Sequence, residues 1–264
     1  MRKDMVLMID VHSHIIFGVD DGPSSLEQSV EMLKEADSIG IRTIVATPHF
    51  HETVYELERV ENNYQELLYR AKAYDVDIKL AYEIYVEQGE NFHFINRVKS
   101  GLNKSGLMLF EFPYRVSPEK CVESVYELNL HKIVPVIAHI ERNRSLLRDF
   151  GSVVSLIKAG SYIQVDAASI LGVYGRKVKE YTKKLIRMRL VDMVASNAHC
   201  AEDYSKWYLE AYSTVVRWAG KETAVMLFHS NAEKILDENH DNVFIPNMSK
   251  PYDWRNSGAA LLQN

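Results

Sequence analysis

The sequence predicts an α/β protein, a single-domain βα barrel on roughly seven parallel strands. Three observations lead there. Short β-branched apolar runs alternate with longer segments of helical period, no composition break divides the chain, and nearly every candidate strand ends in a His, Asp or Glu.

The first strand, Met5–Val11, runs into Asp10-Val11-His12-Ser13-His14, with Asp20-Asp21-Gly22 just after. A helix is predicted over Leu26–Ile39, because Leu26, Val30, Leu33 and Ala36 recur at three- and four-residue steps and share one face. Ser24 or Ser25 caps it, with Glu27 or Gln28 three residues on, and Gly40 stops it. Strand two, Ile41–Ala46, ends in Thr47-Pro48-His49. The helical stretch Glu56–Ala73 leads to strand three, Asp77–Ala81, followed by Glu83. Strand four, Leu107–Phe112, carries Glu111 within Leu-Phe-Glu-Phe-Pro. Helix Pro118–Leu130 precedes strand five, Ile133–Ala138, which runs into His139. The alternation continues as helix Ser152–Lys158, strand Ser161–Val165, helix Tyr174–Met188, strand Val191–Ala195 and helix Glu202–Trp218. That last strand runs into Ser196-Asn197-Ala198-His199. Met248–Asn264 contains Pro251, Asn256, Ser257 and Gly258 and loses periodicity, so a domain over 1–247 and a tail over 248–264 are expected.

The net charge of −5, from 31 Lys+Arg against 36 Asp+Glu, argues against a general nucleic-acid or anionic-membrane surface. A single phosphate at a local site remains compatible with it. Two cysteines cannot build a disulfide framework, which points to a reducing cytoplasm. The apolar N-terminal run is interrupted by Asp10, His12 and His14, and no apolar stretch approaches the ~20 residues of a spanning helix. A soluble cytoplasmic protein is the expectation.

In a parallel βα barrel the C-terminal strand ends converge on the face that carries the active site. His-x-His on a strand points both imidazoles to one side, because the side-chain period is two. His12, His14, His49, His139 and His199, with the carboxylates of Asp21, Glu83 and Glu111, form a mixed N/O donor set. That chemistry suits Mn²⁺, Fe²⁺ or Zn²⁺ better than Ca²⁺. The donors are too many for one ion, so two or three metals sharing carboxylates are expected, a common device for phosphate-ester hydrolysis. His51, His93, His131, His229 and His240 lack this placement and read as surface or packing residues. A cysteine-nucleophile phosphatase is excluded, since neither Cys121 nor Cys200 is followed by Arg at the Cys-x5-Arg spacing. Cys200 reads as a small buried residue.

The segments IDVHSHIIFGVDDG, ATPH, AYEIYVEQ, LFEFP, PVIAHIERNR, IQVDAASILGVYG and VASNAHC resemble, in order, the polymerase-and-histidinol-phosphatase (PHP) superfamily. Within it they are most similar to the manganese-dependent protein tyrosine phosphatases of bacterial capsule and exopolysaccharide operons, the CpsB/YwqE type. The resemblance implies a distorted, seven-stranded PHP-type (β/α) TIM-like barrel with a multinuclear Mn²⁺ centre. It implies one metal on His12, His14, Glu83 and the residue at 197, and a second on Glu83, Glu111 and His139. A third would lie on Asp21, His49 and His199. Arg142, in His139-Ile140-Glu141-Arg142, matches the arginine expected to grip the phosphate, whereas Arg144 is expected to contribute less. The chain departs from the family at Asn197, where an aspartate is usual; an amide offers one carbonyl oxygen and no negative charge. It also lacks an arginine that some relatives carry shortly after this motif.

The resemblance thus implies hydrolysis of phosphotyrosine, with the Tyr-rich tail of a bacterial tyrosine kinase of polysaccharide export as substrate and partner. The competing expectations are a small-molecule phosphoesterase of histidinol-phosphate type, and a kinase-tail-binding module whose catalysis Asn197 has weakened.

Overall fold

The computed structural model describes residues 7–50, 53–86, 101–102 and 106–236. The expected tail, the start of the expected first strand, and His51, His93 and His240 lie outside these. The alternation read from the sequence is present throughout. β1 (Met8–Ser13) is followed by α1 (Leu26–Ile39), β2 (Ile41–Ala46), α2 (Val54–Ala71), β3 (Asp77–Leu80), β4 (Glu83–Tyr85) and β5 (Leu107–Glu111). Then come α3 (Pro118–Leu130), β6 (Val134–Ile137), α4 (Phe150–Lys158), β7 (Tyr162–Asp166), α5 (Ala167–Leu171), α6 (Arg176–Arg187) and β8 (Met193–Ala195). The C-terminal part is α7 (Ala201–Asp203), α8 (Leu209–Ala219), α9 (Lys221–Val225) and α10 (Asn231–Leu236).

All described strand pairs are parallel, in the orders β1-β2-β3 and β4-β5-β6-β7-β8. Two isolated bridges link these runs into a circuit. His49 pairs with Glu83, and Ser13 pairs with Ala198 beyond β8. The latter seam is hydrogen-bonded from His14 N to the Ala198 carbonyl and from Asn197 N to the His12 carbonyl, both at 2.9 Å. No helix among the described residues is long and apolar enough to cross a membrane.

The third predicted strand is present as β3, and the structure adds a further short strand after it, β4, which begins at Glu83. Ala81 N donates to the Ala46 carbonyl at 2.8 Å, but Pro48 has no N–H to return to Ala81, so the ladder loses a rung here. It resumes where Glu83 N donates to the Pro48 carbonyl at 3.1 Å and Phe50 N to the Glu83 carbonyl at 2.9 Å. β4 pairs with β5 while Glu83 keeps its bridge to His49, which places Glu83 at the mouth of the barrel.

Ser25 caps α1 by accepting from Gln28 N, and Gly40 ends it with φ 95°, as the sequence predicts. The predicted helix 202–218 is instead α7 and α8 joined through a π-helical segment, Tyr204–Tyr208. Its two tyrosines reach inward: Tyr204 OH donates to Asp10 Oδ2 and is hydrogen-bonded to the Ser13 hydroxyl, and Tyr208 OH shares its proton between the carbonyls of Ile9 and Val194. These bonds tie the helix to both strands of the closing seam.

Ile9, Val11, Val45, Leu109, Val136, Tyr162 and Met193 form an inner core, sealed by Ile235 and Leu236 of α10. A larger shell between strands and helices includes Met32, Leu33, Phe110, Leu156, Leu185 and Phe228. His12 and His14 are out of phase with the inward-facing Ile9 and Val11. The β1–β2 register slips between Asp10 and Ser13, the point where that phase must change.

Candidate metal centre

Four imidazoles surround the Glu83 carboxylate. Its Oε2 lies 3.3 Å from His12 Nε2, 3.2 Å from His14 Nε2 and 3.3 Å from His49 Nδ1, while Oε1 lies 2.9 Å from His139 Nε2. The His12 and His14 Nε2 atoms are themselves 3.3 Å apart. Asp21 Oδ1 is 3.3 Å from His199 Nε2 and 3.6 Å from His49 Nε2, and Glu111 Oε1 is 3.8 Å from His139 Nε2. All eight His and carboxylate donors expected from the sequence therefore meet in one cluster.

Three donor groups in that cluster are compact enough to hold an ion: His12, His14 and Glu83; His14, Asp21 and His49; and His49, Glu83 and Glu111. The first matches the grouping the resemblance implies. In the other two, His14 stands in place of His199 and His49 in place of His139, because the His14 and His49 rings sit between the carboxylates, 4.7 Å apart.

Hydrogen bonds aim the ring nitrogens. His14 Nδ1 pairs with Asp20 Oδ2 at 2.7 Å, His12 Nδ1 with Gln164 Oε1 at 3.3 Å, and His199 Nδ1 with the Asn197 carbonyl at 2.9 Å. Each contact occupies Nδ1 and leaves Nε2 turned to the carboxylates, the arrangement typical of metal-ligating histidines. The donor set fits a divalent transition ion.

Burial opposes charge on Glu83, but the imidazoles of His12, His139 and His14 outweigh it and hold the carboxyl well below its usual range. Burial likewise disfavours the imidazolium of His14, yet hydrogen bonds to Asp20 and Glu83 raise it to about 10. His139 is raised against burial to about 9 by Glu83 and Asp166.

The site is closed at one end and open at the other. His12, His14 and Glu83 are buried, whereas Asp21 is 65% exposed and His49, His199 and Glu111 are partly so. The loop bearing Asp20 and Asp21 turns back against β1 so tightly that a Cβ at Gly22 would sit 2.2 Å from the His14 carbonyl oxygen.

Arg142 ends a 3-10 turn, Ile140–Arg142, after β6. Its Nη1 donates to Asp166 Oδ2 at 3.3 Å and its guanidinium lies 4.7 Å from the Tyr174 ring centroid. Asn197 Nδ2 donates to the same Asp166 oxygen at 3.3 Å, and Asn197 Oδ1 is buried with no hydrogen-bond partner among the described residues. Asn197 and His139 both adopt positive φ, 50° and 29°. Such backbone costs of order 1–3 kcal/mol at a non-glycine residue, and it recurs where function demands a side-chain direction.

Sequence reasoning missed Asp166, Gln164, Glu141 and the role of Asp20. Asp166 ends β7, inside a block singled out for other reasons, so its strand-end position was a usable signal. Nothing in the Asp20-Asp21 pair says which carboxylate braces His14 and which faces the opening. Glu141 is fully buried; burial and the Asp166 charge push its carboxyl up to about 7. Cys200 corrects an expectation: it is exposed at the start of α7, and partial burial with nearby Asp203 pushes its thiol up to about 11. His131 and His229 lie outside the cluster, as expected; His131 caps α3 and His229 faces Glu233 at 3.7 Å.

Residues 8–237 match the family described as capsular polysaccharide synthesis, CpsB/CapC. The chain is 32% identical over 233 residues to tyrosine-protein phosphatase YwqE of Bacillus subtilis (strain 168), covering 87% of this chain and 91% of that protein. It is 33% identical over 238 residues to tyrosine-protein phosphatase CpsB of Streptococcus pneumoniae, covering 87% and 98%. Crystal structures of YwqE and CpsB, described as unique metal-dependent tyrosine phosphatases, match with a TM-score of 0.75 at 30% identity, covering 87% of this chain and 94% of the other. Histidinol phosphate phosphatase from Lactococcus lactis, at 13% identity and a TM-score of 0.51 over 81% of this chain and 94% of the other, shares the fold alone.

Proposed function

The chain belongs to the CpsB/CapC capsular polysaccharide synthesis family, and from that premise we propose that it is a metal-dependent protein tyrosine phosphatase. Its substrate is the phosphotyrosine-bearing tail of a bacterial tyrosine kinase of capsule or exopolysaccharide synthesis. The observation that carries this reading is the Glu83 carboxylate held among four imidazoles at 2.9–3.3 Å.

The metal-binding residues of the proposal are His12, His14, Asp21, His49, Glu83, Glu111, His139 and His199, with the unpartnered Asn197 Oδ1 completing the set. Manganese is the proposed ion, and iron(II) or zinc suits the same donors. Divalent ions held there supply Lewis acidity toward a phosphate oxygen and lower the pKa of water.

The chain's own residues do the rest. Arg142 has five N–H donors; one is spent on Asp166, and the rest are left for phosphate oxygens. Asp166 and Tyr174 hold the guanidinium in place, so little reorganisation is needed as charge grows on those oxygens. The buried wall of His12, His14 and Glu83 keeps bulk water from one side of the reacting group. A tyrosine leaving group has a pKa near ~10 and departs with little help from a general acid. The exposed rim at Asp21, His49 and His199 suits a residue on a polypeptide better than a metabolite that must be enclosed. A cytoplasmic location completes the proposal, in keeping with two free cysteines.

The test is phosphate release from a phosphotyrosine peptide, from histidinol phosphate and from p-nitrophenyl phosphate across a Mn²⁺ titration, with the bound metal counted by elemental analysis. Metal-dependent release from the peptide, lost in Glu83→Gln and His139→Ala, is the expected result. Preference for histidinol phosphate, or turnover that survives a chelator, overturns it.

A further inference from the structure

Beside the metal centre lies a groove of about 1230 Å³ whose rim carries Arg115, Arg144, Arg176, Lys177 and Lys184 against one carboxylate, Glu180. None of the five cations is ion-paired among the described residues, and all are exposed. A cluster so basic is conspicuous on a chain of net charge −5. Phe150 and the buried Tyr181, with ring centroids 4.7 Å apart, line its floor.

The groove is continuous with the site along the chain. Three segments each carry a residue of the site and then deliver a cation to the groove: Glu111 leads to Arg115, Arg142 to Arg144, and Tyr174 to Arg176. Tyr114 stands between the two spaces. It lines the small pocket shared by Glu111, His139 and Arg142, and its hydroxyl accepts from Arg144 Nε at 2.7 Å. Arg144, two residues beyond Arg142, thereby joins the rim to the pocket that Arg142 lines.

We propose that the groove is a substrate exosite that binds an acidic stretch of polypeptide flanking the scissile phosphotyrosine. The inference rests on the phosphatase reading above and adds the charge of the preferred sequence. Exposed cations steer and weakly hold carboxylates, and several acting together supply selectivity that a single phosphate site does not. Arg144 contributes here, to substrate selection, and not to the phosphate grip.

The experiment compares the metal-loaded full chain with the Lys177→Glu/Lys184→Glu variant. Substrates are p-nitrophenyl phosphate, a phosphotyrosine peptide flanked by Asp and Glu, and the same peptide flanked by Asn and Gln. The parent is expected to show a KM about tenfold lower for the acidic peptide, from a few exposed ion pairs, and to lose that preference at about 0.5 M salt. The variant is expected to lose the preference at low salt too, with kcat and p-nitrophenyl phosphate kinetics within about twofold of the parent. Equal KM values for the two peptides in the parent, or an unaltered preference in the variant, overturn the exosite. Fluorescence anisotropy with the labelled acidic peptide supplies an arm independent of turnover. A variant that loses affinity there, in a protein that hydrolyses none of the substrates, sinks the phosphatase reading and leaves the acidic-peptide groove standing. Displacement of that peptide by a weaker concentration of oligothymidylate than of unlabelled acidic peptide overturns the groove in favour of a nucleic-acid surface.

Discussion

The side-chain amide of Asn197 donates to Asp166 at 3.3 Å while its Oδ1 lies buried without a hydrogen-bond partner among the described residues. The amide is thus oriented by a carboxylate that also holds Arg142. An unpaired buried carbonyl costs about 1–3 kcal/mol, which a cation beside it would repay. Asp166, at the end of β7, sets a negative charge one strand away from position 197.

Asn197→Asp therefore places a second carboxylate against Asp166. Without metal the two repel, one is forced toward protonation, and the variant melts below the parent. With Mn²⁺ the added charge strengthens binding, so the metal-induced rise in Tm is larger and phosphotyrosine turnover increases. Exchanging both residues, Asp166→Asn with Asn197→Asp, restores the metal-free Tm. Calorimetric scans with and without Mn²⁺ check this; identical scans for parent and Asn197→Asp would show that position 197 holds no metal.

Arg142→Ala should leave metal content unchanged and lower kcat/KM for phosphotyrosine peptide by roughly 2–4 kcal/mol, the scale of a lost charged donor to a developing oxyanion. Arg142→Lys should recover only part of that, since an ammonium cannot make the forked contact. Steady-state kinetics beside an elemental metal count decide it, and wild-type kinetics in Arg142→Ala would make the residue structural.

Metal loading should expel protons. His14 and His139 are raised to about 10 and about 9, so both imidazoles are protonated in the metal-free protein at neutral pH and must lose those protons to become ligands. Apparent Mn²⁺ affinity then rises with pH up to that range. Stability without metal runs the other way. A histidine pKa raised on folding contributes stability that is complete below about 6.5 and lost as pH climbs through 9 to 10. Titration calorimetry in buffers of different ionisation enthalpy measures the proton count, and zero release at pH 7.5 would contradict it.

Gly22→Ala should disable the open end of the site without unfolding the barrel. The new methyl collides with the His14 carbonyl, so the loop carrying Asp20 and Asp21 must move outward. Loss of the Asp20 contact frees the His14 ring, and the cost is expected at about 1–3 kcal/mol in stability with a fall in metal stoichiometry. Far-ultraviolet circular dichroism with a metal count is the check; full stoichiometry would show that the loop tolerates the shift.

Strand–helix alternation is a local property, and so were the caps of α1, which Ser25 and Gly40 determine between them. β4 was not legible as a separate strand, because the gap before it depends on Pro48 of a neighbouring segment having no N–H for the Ala81 carbonyl. The π-helical Tyr204–Tyr208 was likewise hidden. Its geometry answers to Asp10, Ser13 and Ile9, almost two hundred residues earlier in the chain.

The sequence by itself determined which residues could be ligands, since His-x-His on a strand and polar residues at strand ends follow from periodicity and chemical type alone. It determined the family as well, through motifs whose order the chain preserves. Only the tertiary structure decided how those candidate ligands are grouped. That His14 stands with both Glu83 and Asp21, and that Asp20 rather than Asp21 braces it, depends on where a loop turns back onto β1. Asp166 and the basic groove belong to the same class of fact. They arise because the pairing of β6 with β7 sets the 3-10 turn after β6 beside Asp166, Tyr174 and the start of α6, a juxtaposition that strand-end positions alone do not specify.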